Sequence, residues 1–479
     1  MHGSDEILKA DADSAALHLF AATAQSVPAY RALLLDHGVD AGAVRTIDDF
    51  RRLPLMTREN YVKRYPLAER CRGGRLSACD MVAVSSGSTG EPTFWPRALK
   101  DEAFSLARFE QVFGEAFQAD RKKTLSVVCF PLGTWVGGMF TASCCRQLAS
   151  NGWPITTVTP GNQRSEIFRV VRALAPMFEQ TVLLGYPPFL KDLVDAGAAE
   201  KVPWSTLSIK MVFAGEVFSE AWRTLVGERA GMQRLMVDCA SLYGTADGGV
   251  LGCETPVSIA IRRFLGDRIE LASALFGKTR LPTLAQYDPR MRYFEQHEET
   301  LVVSSDGGVP LVRYHIADDG GVIPYGRMIE RMKSSGFDPE TEARGAGARA
   351  QELPFVYVFG RSRFAISYYG ANVFPETVSL GLEQPAVRAQ VTGKFVMEAR
   401  EVSDNNLELS IAVELAAGQE GSDALCAAVE QSVLAQLLRY NSEFANYVPV
   451  ERQVPRVTLL PVGHPVYFPA GVKHRYSRP

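Results

Sequence analysis

Short runs of β-branched and apolar residues recur along the first two-thirds of this chain, each stopped by glycine, proline or serine. Met81 to Ser86 (MVAVSS), Leu125 to Phe130 (LSVVCF), Thr181 to Leu184 (TVLL), Ile209 to Phe213 (IKMVF) and Leu301 to Val303 (LVV) read as strands. Ser165 to Phe178 and Glu216 to Arg229, lying between them, have helical character. Strands separated by helices cannot pair through two-residue turns. They pair through crossovers, in parallel, and the helices then cover both faces of the sheet. The expected class is therefore α/β, with a large N-terminal domain of mainly parallel, helix-covered sheets. Ahead of it, Asp5 to Tyr30 carries apolar residues at helical spacing, and Ile47 to Phe50 with Leu53 runs into the breaker Pro54, which predicts a helical opening segment. At 479 residues the chain exceeds what one core usually serves, so a second domain is expected. Pro324 to Pro354, rich in Gly, Arg, Glu and Pro, reads as a surface excursion before that boundary. Beyond it Val373 to Leu382, the strand LELSIAVEL (Leu407 to Leu415) and the helix Ser422 to Tyr440 form a small α+β unit.

Composition narrows the function classes. Charged residues make up 22% of the chain and the formal net charge is -3, so no electrostatic argument favours nucleic acid or an anionic membrane as partner. The eight cysteines, Cys71, Cys79, Cys129, Cys144, Cys145, Cys239, Cys253 and Cys426, show no framework spacing and read as reduced thiols. CxxC and HExxH are absent, which argues against a structural zinc or a metalloprotease centre. The opening MHGSDEILKADADSAALHLF lacks the form of a secretory signal, and the longest apolar runs, such as Phe130 to Phe140, are far shorter than a membrane span. A cytoplasmic protein acting on small molecules, compatible with a homodimer, is the expectation.

The most concentrated polar turn follows the first strand. Ser85-Ser86-Gly87-Ser88-Thr89-Gly90-Glu91-Pro92 crowds hydroxyls and glycines together. Glycines let a backbone approach a polyphosphate closely, and exposed N–H and O–H donors replace the hydration of its oxygens. A plain flexible turn has the same composition. No GxGxxG precedes a helix and no GK[ST] follows, which removes a Rossmann or P-loop assignment.

Further elements then appear in order: Phe213-Ala214-Gly215-Glu216, Ser241-Leu242-Tyr243-Gly244-Thr245-Ala246-Asp247-Gly248-Gly249, Pro310-Leu311-Val312-Arg313-Tyr314-His315-Ile316-Ala317-Asp318, Phe359-Gly360-Arg361-Ser362-Arg363 and Gly370-Ala371-Asn372-Val373-Phe374-Pro375. With SSGSTGEPTFWPR they resemble the motifs of the adenylate-forming superfamily, in particular its phenylacetate-CoA ligase-like branch, and within it the coronafacate ligase-like members. The resemblance implies an adenylation domain over residues 1–359 and a small mobile domain over 360–479, hinged near Arg363. It implies an ATP-dependent ligase that makes an acyl-adenylate and pyrophosphate and then passes the acyl group to a nucleophile. Ser85, Ser86, Gly87, Ser88, Thr89 and Gly90 would wrap the phosphates. Gly215, Glu216, Tyr243, Gly244 and Thr245 would face the nucleotide, Asp318 would accept from the ribose hydroxyls, and Arg361 would assist it. Local sequence alone favours a turn or helix cap for Asp318, beside Asp319. Trp135, Gly137, Tyr186, Pro187, Ala214, Gly370 and Asn372 are the implied acyl-side residues, suited to a cyclic or aryl acid, although core packing explains a Trp or Tyr there as well.

This chain departs from the family pattern at several positions. Asp247 stands where the family usually has a magnesium-binding glutamate; it keeps a hard anionic oxygen on a shorter arm. Glu91 replaces a lysine of the phosphate loop. Arg97 is available to compensate, although a surface arginine is the simpler reading. Arg363 replaces the hinge aspartate, where backbone tolerance matters more than charge. In Ala470-Gly471-Val472-Lys473-His474-Arg475 the catalytic lysine of the resemblance would be Lys473, although composition alone favours a solvated basic tail of Lys473, Arg475 and Arg478. FWPR, Glu91 and the excursion from Pro324 to Pro354 look more like the amide-forming relatives than the aromatic-acid CoA ligases, so an amino-acid amine is the expected acceptor and coenzyme A the alternative. A nucleotide-binding homologue without catalysis is the remote alternative. ATP and magnesium are the implied cofactors.

Overall fold

The protein is described by a computed structural model covering residues 2–85, 93–134, 136–278, 281–360, 365–369, 371–402, 406–441, 444–445, 448–469, 474 and 476–477. Its chain divides into two compact units, one of residues 1–216, 227–264 and 282–359, the other of 217–226, 265–281 and 360–479.

In the first unit, β1 (Met81–Ser85) and β2 (Thr93–Arg97) form an antiparallel pair of their own. The remaining strands are β3 (Thr124–Val128), β4 (Ile155–Val158), β5 (Gln180–Gly185), β6 (Ile209–Ala214), β7 (Cys239–Thr245), β8 (Gly249–Cys253), β9 (Thr283–Gln286), β10 (Arg292–His297), β11 (Thr300–Ser305), β12 (Leu311–Ile323) and β13 (Phe355–Gly360). They make one sheet in the order β10-β11-β12-β13-β9-β8-β7-β6-β5-β3-β4. Parallel pairing joins β4, β3, β5, β6 and β7; of these β3, β5 and β6 are strands expected from the sequence, whereas β1 and β11, expected with them, pair antiparallel. Every residue of β3 and β5 is buried, as strands covered on both faces require. From β7 to β8 and β9 the pairing turns antiparallel, as it is between β10, β11 and β12. The opening helices His2–Ser26 and Pro28–Asp36 pack Phe20, Tyr30 and Leu33 into the core formed with Leu301, Val303 and Tyr314 of this sheet.

The segment from Pro324 to Pro354 differs from the expected excursion. It holds the helices Tyr325–Ser334 and Pro339–Gly345. Tyr325, Met328, Ile329 and Met332 are buried, an i, i+3, i+4, i+7 stripe hidden in the sequence among Arg, Glu and Lys. Asp338 caps the second helix by accepting from the Glu340 and Thr341 amides.

The second unit contains β14 (Ile366–Tyr368) paired with β15 (Ala371–Val373), and the sheet of β16 (Val391–Val402), β17 (Asn406–Leu415) and β18 (Arg456–Leu460). Alternate residues of β17, Leu409, Ile411, Val413 and Leu415, enter its core. The helix Asp423–Tyr440 meets them with Leu425, Val429, Val433 and Leu437, one residue per turn, and Ser422 Oγ caps it by accepting from the Leu425 amide at 3.2 Å.

Candidate active site

The parallel strands end on a common edge, and the candidate residues gather there because ligands of such sheets lie beyond the carboxyl ends of the strands. Tyr186 and Pro187 directly follow β5, with Pro187 opening the helix Pro187–Ala199. Ala214 ends β6, and Gly215 and Glu216 follow it, Gly215 with φ 96°. The two strand ends meet: the Tyr186 hydroxyl donates to Glu216 Oε1. Gly137 lies in the helix Val136–Ser150 that follows β3.

Tyr243, Gly244 and Thr245 close β7, and the chain turns back through Ala246 and Asp247 into β8. A glycine is needed at 244, because a Cβ there would stand 2.7 Å from the Gly249 carbonyl oxygen. The Gly248 amide closes the turn by donating to Thr245 Oγ1 at 3.0 Å and to Asp247 Oδ1 at 3.1 Å. The Thr245 hydroxyl thus accepts within its own turn, and among the described residues it has no acceptor for its proton. Asp247 keeps a second carboxylate oxygen. Tyr243 Oη donates at 3.0 Å to Asp318 Oδ2, bringing together two residues far apart in sequence. Asp318 sits inside β12, 6% exposed, directly after Ala317 at φ 62°, so it is a strand residue at an irregularity and not the helix or turn cap that its local sequence allows.

Other parts of the motifs turn out to be scaffold. Arg313 pairs with Glu295 at 3.0 Å and donates to the Leu53 carbonyl. His315 meets Thr300 Oγ1 at 2.8 Å, and burial lowers its proton affinity. Arg97 is not on the surface. It is 5% exposed and donates through Nη2 to the carbonyls of Ala246 and Asp247, so β2 holds the Thr245 to Gly249 turn from below. Its position two residues past a tryptophan was the sequence signal for burial.

Ser85 ends β1, paired with Thr93 across the loop. Ser86, Gly87, Ser88, Thr89 and Gly90, with Trp135, Arg361, Arg363, Gly370 and Lys473, lie outside the described residues, and Asn372 is described through its backbone in β15. Among the described residues no three His, Cys, Asp or Glu side chains gather as a metal site. A single carboxylate such as Asp247 suits magnesium that arrives with a nucleotide, since that ion takes one or two carboxylates and fills its shell from phosphates and water. No helix among the described residues is long and apolar enough to cross a membrane.

This architecture is the fold of the adenylate-forming enzymes. The crystal structure of 2-hydroxyisobutyryl-CoA ligase in the postadenylation state, in complex with R3-HIB-AMP, matches 98% of this chain and 88% of its own, with a TM-score of 0.66 and 15% sequence identity. An open conformation of the same ligase in complex with 2-HIB-AMP and CoA matches 98% of this chain and 91% of its own, with a TM-score of 0.55 and 14% identity. No protein-family model matches the sequence, and no curated protein does.

Proposed function

We propose that this protein is an ATP-dependent, AMP-forming carboxylic acid ligase that transfers the activated acyl group to the amine of an amino acid. The observation that carries the ligase reading is the gathering of Tyr186 with Glu216, and of Tyr243 with Asp318 beside Thr245 and Asp247, on one edge of a sheet of this fold. A carboxylate is a poor electrophile because its leaving group would be oxide. Attack of its oxygen on the α-phosphorus of ATP expels pyrophosphate and leaves a reactive mixed anhydride. Asp318 would hold the ribose through charge-assisted hydrogen bonds, with Arg361 beside it, and the Thr245 hydroxyl would donate to the α-phosphate. Residues 85–90 would wrap the phosphates. Asp247 would help hold magnesium, which supplies positive charge against the polyphosphate. Lys473 would neutralise the charge developing at the α-phosphate. The acid would lie toward Trp135, Gly137, Tyr186 and Ala214. The domain of residues 360–479, turning near Arg363, would bring Gly370 and Asn372 to the acceptor.

The amine reading draws on FWPR and Glu91 and on the cations of the second unit. Lys394 pairs with Glu414 at 3.4 Å and Arg400 with Glu398, while Arg439 lies over the Tyr440 ring at 5.1 Å. The charges of Lys394 and Arg400 are thus already compensated, where the 3′-phosphate of coenzyme A calls for basic partners. Transfer to coenzyme A is the second reading, favoured by the full-length likeness to a CoA ligase. Mass spectrometry of reactions given ATP, a panel of cyclic and aryl acids, and either a hydrophobic amino acid or coenzyme A separates the two. The N-acyl amino acid should dominate; a dominant acyl-CoA without amide would replace the amine reading by the thioester one.

A further inference from the structure

The side chain that grips the Thr245 to Gly249 turn is charged, and it sits where charge is costly. Arg97 is 5% exposed and has no ion-pair partner among the described residues. Burial lowers its proton affinity, and the carboxylates of Asp247 and Asp101, acting from beyond ion-pair distance, offset only part of that. A buried guanidinium without a paired charge is unfavourable, and an apolar side chain of similar size would fill the space at lower cost. What this charge acts on is backbone.

Arg97 Nη2 donates to two successive carbonyls, those of Ala246 and Asp247, the second at 3.1 Å. A trans peptide unit is planar and points its carbonyl and its N–H in opposite directions. Fixing the Asp247 carbonyl on one side of the chain therefore fixes the Gly248 N–H on the other. That N–H is shared between Thr245 Oγ1 at 3.0 Å and Asp247 Oδ1 at 3.1 Å. One peptide unit thus links the guanidinium to both side chains that the proposed reaction sets against the α-phosphate and the metal. The charge also strengthens the link, because a carbonyl polarised by a cation makes the N–H of the same unit a better donor. Glycine at 248 permits the close contact: a Cβ there would stand 3.1 Å from Thr245 Oγ1 and 2.9 Å from Leu251 Cδ2.

Arg97 is itself held firmly. Its residue pairs with Met81 across the ladder of β1 and β2, and its carbonyl accepts from the Asp80 amide at 3.0 Å. The next amide, that of Ala98, donates to Asp101 Oδ2 at 2.8 Å. A second buried guanidinium holds the strand that leaves the turn: Arg292, also 5% exposed, donates through Nε to the Val250 carbonyl at 3.2 Å.

We propose that Arg97 is a positioning residue: through the Asp247 carbonyl and the Gly248 amide it sets Asp247 and Thr245 for a magnesium-bearing nucleotide. The proposal rests on the ligase reading for the roles of those two side chains. Groups that orient a metal ligand from behind typically change metal affinity by about 10- to 100-fold when removed.

Calorimetric binding of a non-hydrolysable ATP analogue to the full chain, with and without magnesium, tests it. The readout is the metal response, the affinity with magnesium divided by the affinity without. A merely structural loss weakens both affinities together and leaves the ratio unchanged. The parent should bind more tightly with magnesium, and Arg97→Met should cut that response about tenfold or more. Arg97→Lys keeps the charge but loses the planar fork that spans two carbonyls, so it should cut the response about threefold or more. It carries the test if circular dichroism shows the Met variant unfolded. Asp247→Asn should remove most of the response, and adding Arg97→Met to it should change the ratio little further. A folded Arg97 variant whose response stays within about twofold of the parent's, or a parent whose binding ignores magnesium, overturns the positioning role. Pyrophosphate release from ATP with a panel of acids separates the two readings. Release by the parent, with the response unchanged in the variants, overturns the positioning role alone. A cut response without release from any acid supports the positioning role and overturns the ligase reading.

Discussion

Removing the Asp318 carboxylate separates a nucleotide-binding role from a structural one. The side chain is 6% exposed and accepts from Tyr243 Oη at 3.0 Å. Asp318→Ala therefore leaves the Tyr243 hydroxyl without this acceptor, at about 1–3 kcal/mol of stability. If Asp318 also accepts from two ribose hydroxyls, the variant loses two charge-assisted bonds of about 1.5–3 kcal/mol each, or about 3–6 kcal/mol from ATP use. That is on the order of 10² to 10⁴ in kcat/KM for ATP. Tyr243→Phe removes the internal hydrogen bond and keeps the carboxylate, so it should cost about tenfold or less. Acid-dependent pyrophosphate release across an ATP titration, beside urea denaturation of each variant, reads both quantities. An Asp318→Ala variant that loses stability but keeps its kcat/KM for ATP within about threefold of the parent would refute the ribose role and leave Asp318 as the structural partner of Tyr243.

Two further outcomes follow from packing and burial. Gly244→Ala would drive a methyl to 2.7 Å from the Gly249 carbonyl oxygen, so the turn holding Thr245 and Asp247 must shift; acid-dependent pyrophosphate release should fall at least about tenfold, and an unchanged rate would contradict the close approach. Burial pushes the Glu115 carboxyl up to about 7 from 4.5, so the folded chain holds a proton that the unfolded chain has released. Stability should then fall as pH rises from about 4.5 to about 7, by at most about 3 kcal/mol, and level off above. Glu115→Gln should flatten the urea midpoints measured across that range, and parallel profiles would remove the assignment.

Where periodicity is clean, sequence and structure agree closely. β17 alternates its apolar residues as one core face demands, and Ser422 heads the following helix as a capping residue should. The parallel strands around β5 and β6 were legible because a strand covered on both faces is an unbroken apolar run. The helix Tyr325–Ser334 was not, because its four buried residues are scattered among basic and acidic ones and the segment is bounded by prolines. β1 was legible as a strand, but its antiparallel partner β2 was not, because Pro96 lies in it and proline argues against a strand. At the candidate site, residue order singled out Tyr243 and Asp318 but not their hydrogen bond, which depends on β7 and β12 lying near one another. Arg97 at least lies two residues past Trp95, whereas Arg292 carries no local mark of its burial. Only the packing of β2 and β10 beside the turn before β8 brings the two buried guanidiniums near one another.

The central claim, that this protein forms an acyl-adenylate, is tested most directly by carboxylate-dependent exchange of labelled pyrophosphate into ATP, run with the purified full chain against a panel of mono- and dicarboxylic acids. Exchange reports reversible adenylation alone, whichever nucleophile later receives the acyl group. Label should appear in ATP only when an accepted acid is present and should be lost in Asp318→Ala. No exchange with any acid, from a folded protein whose melting temperature still rises with ATP, would contradict the account and leave a nucleotide-binding protein of this fold.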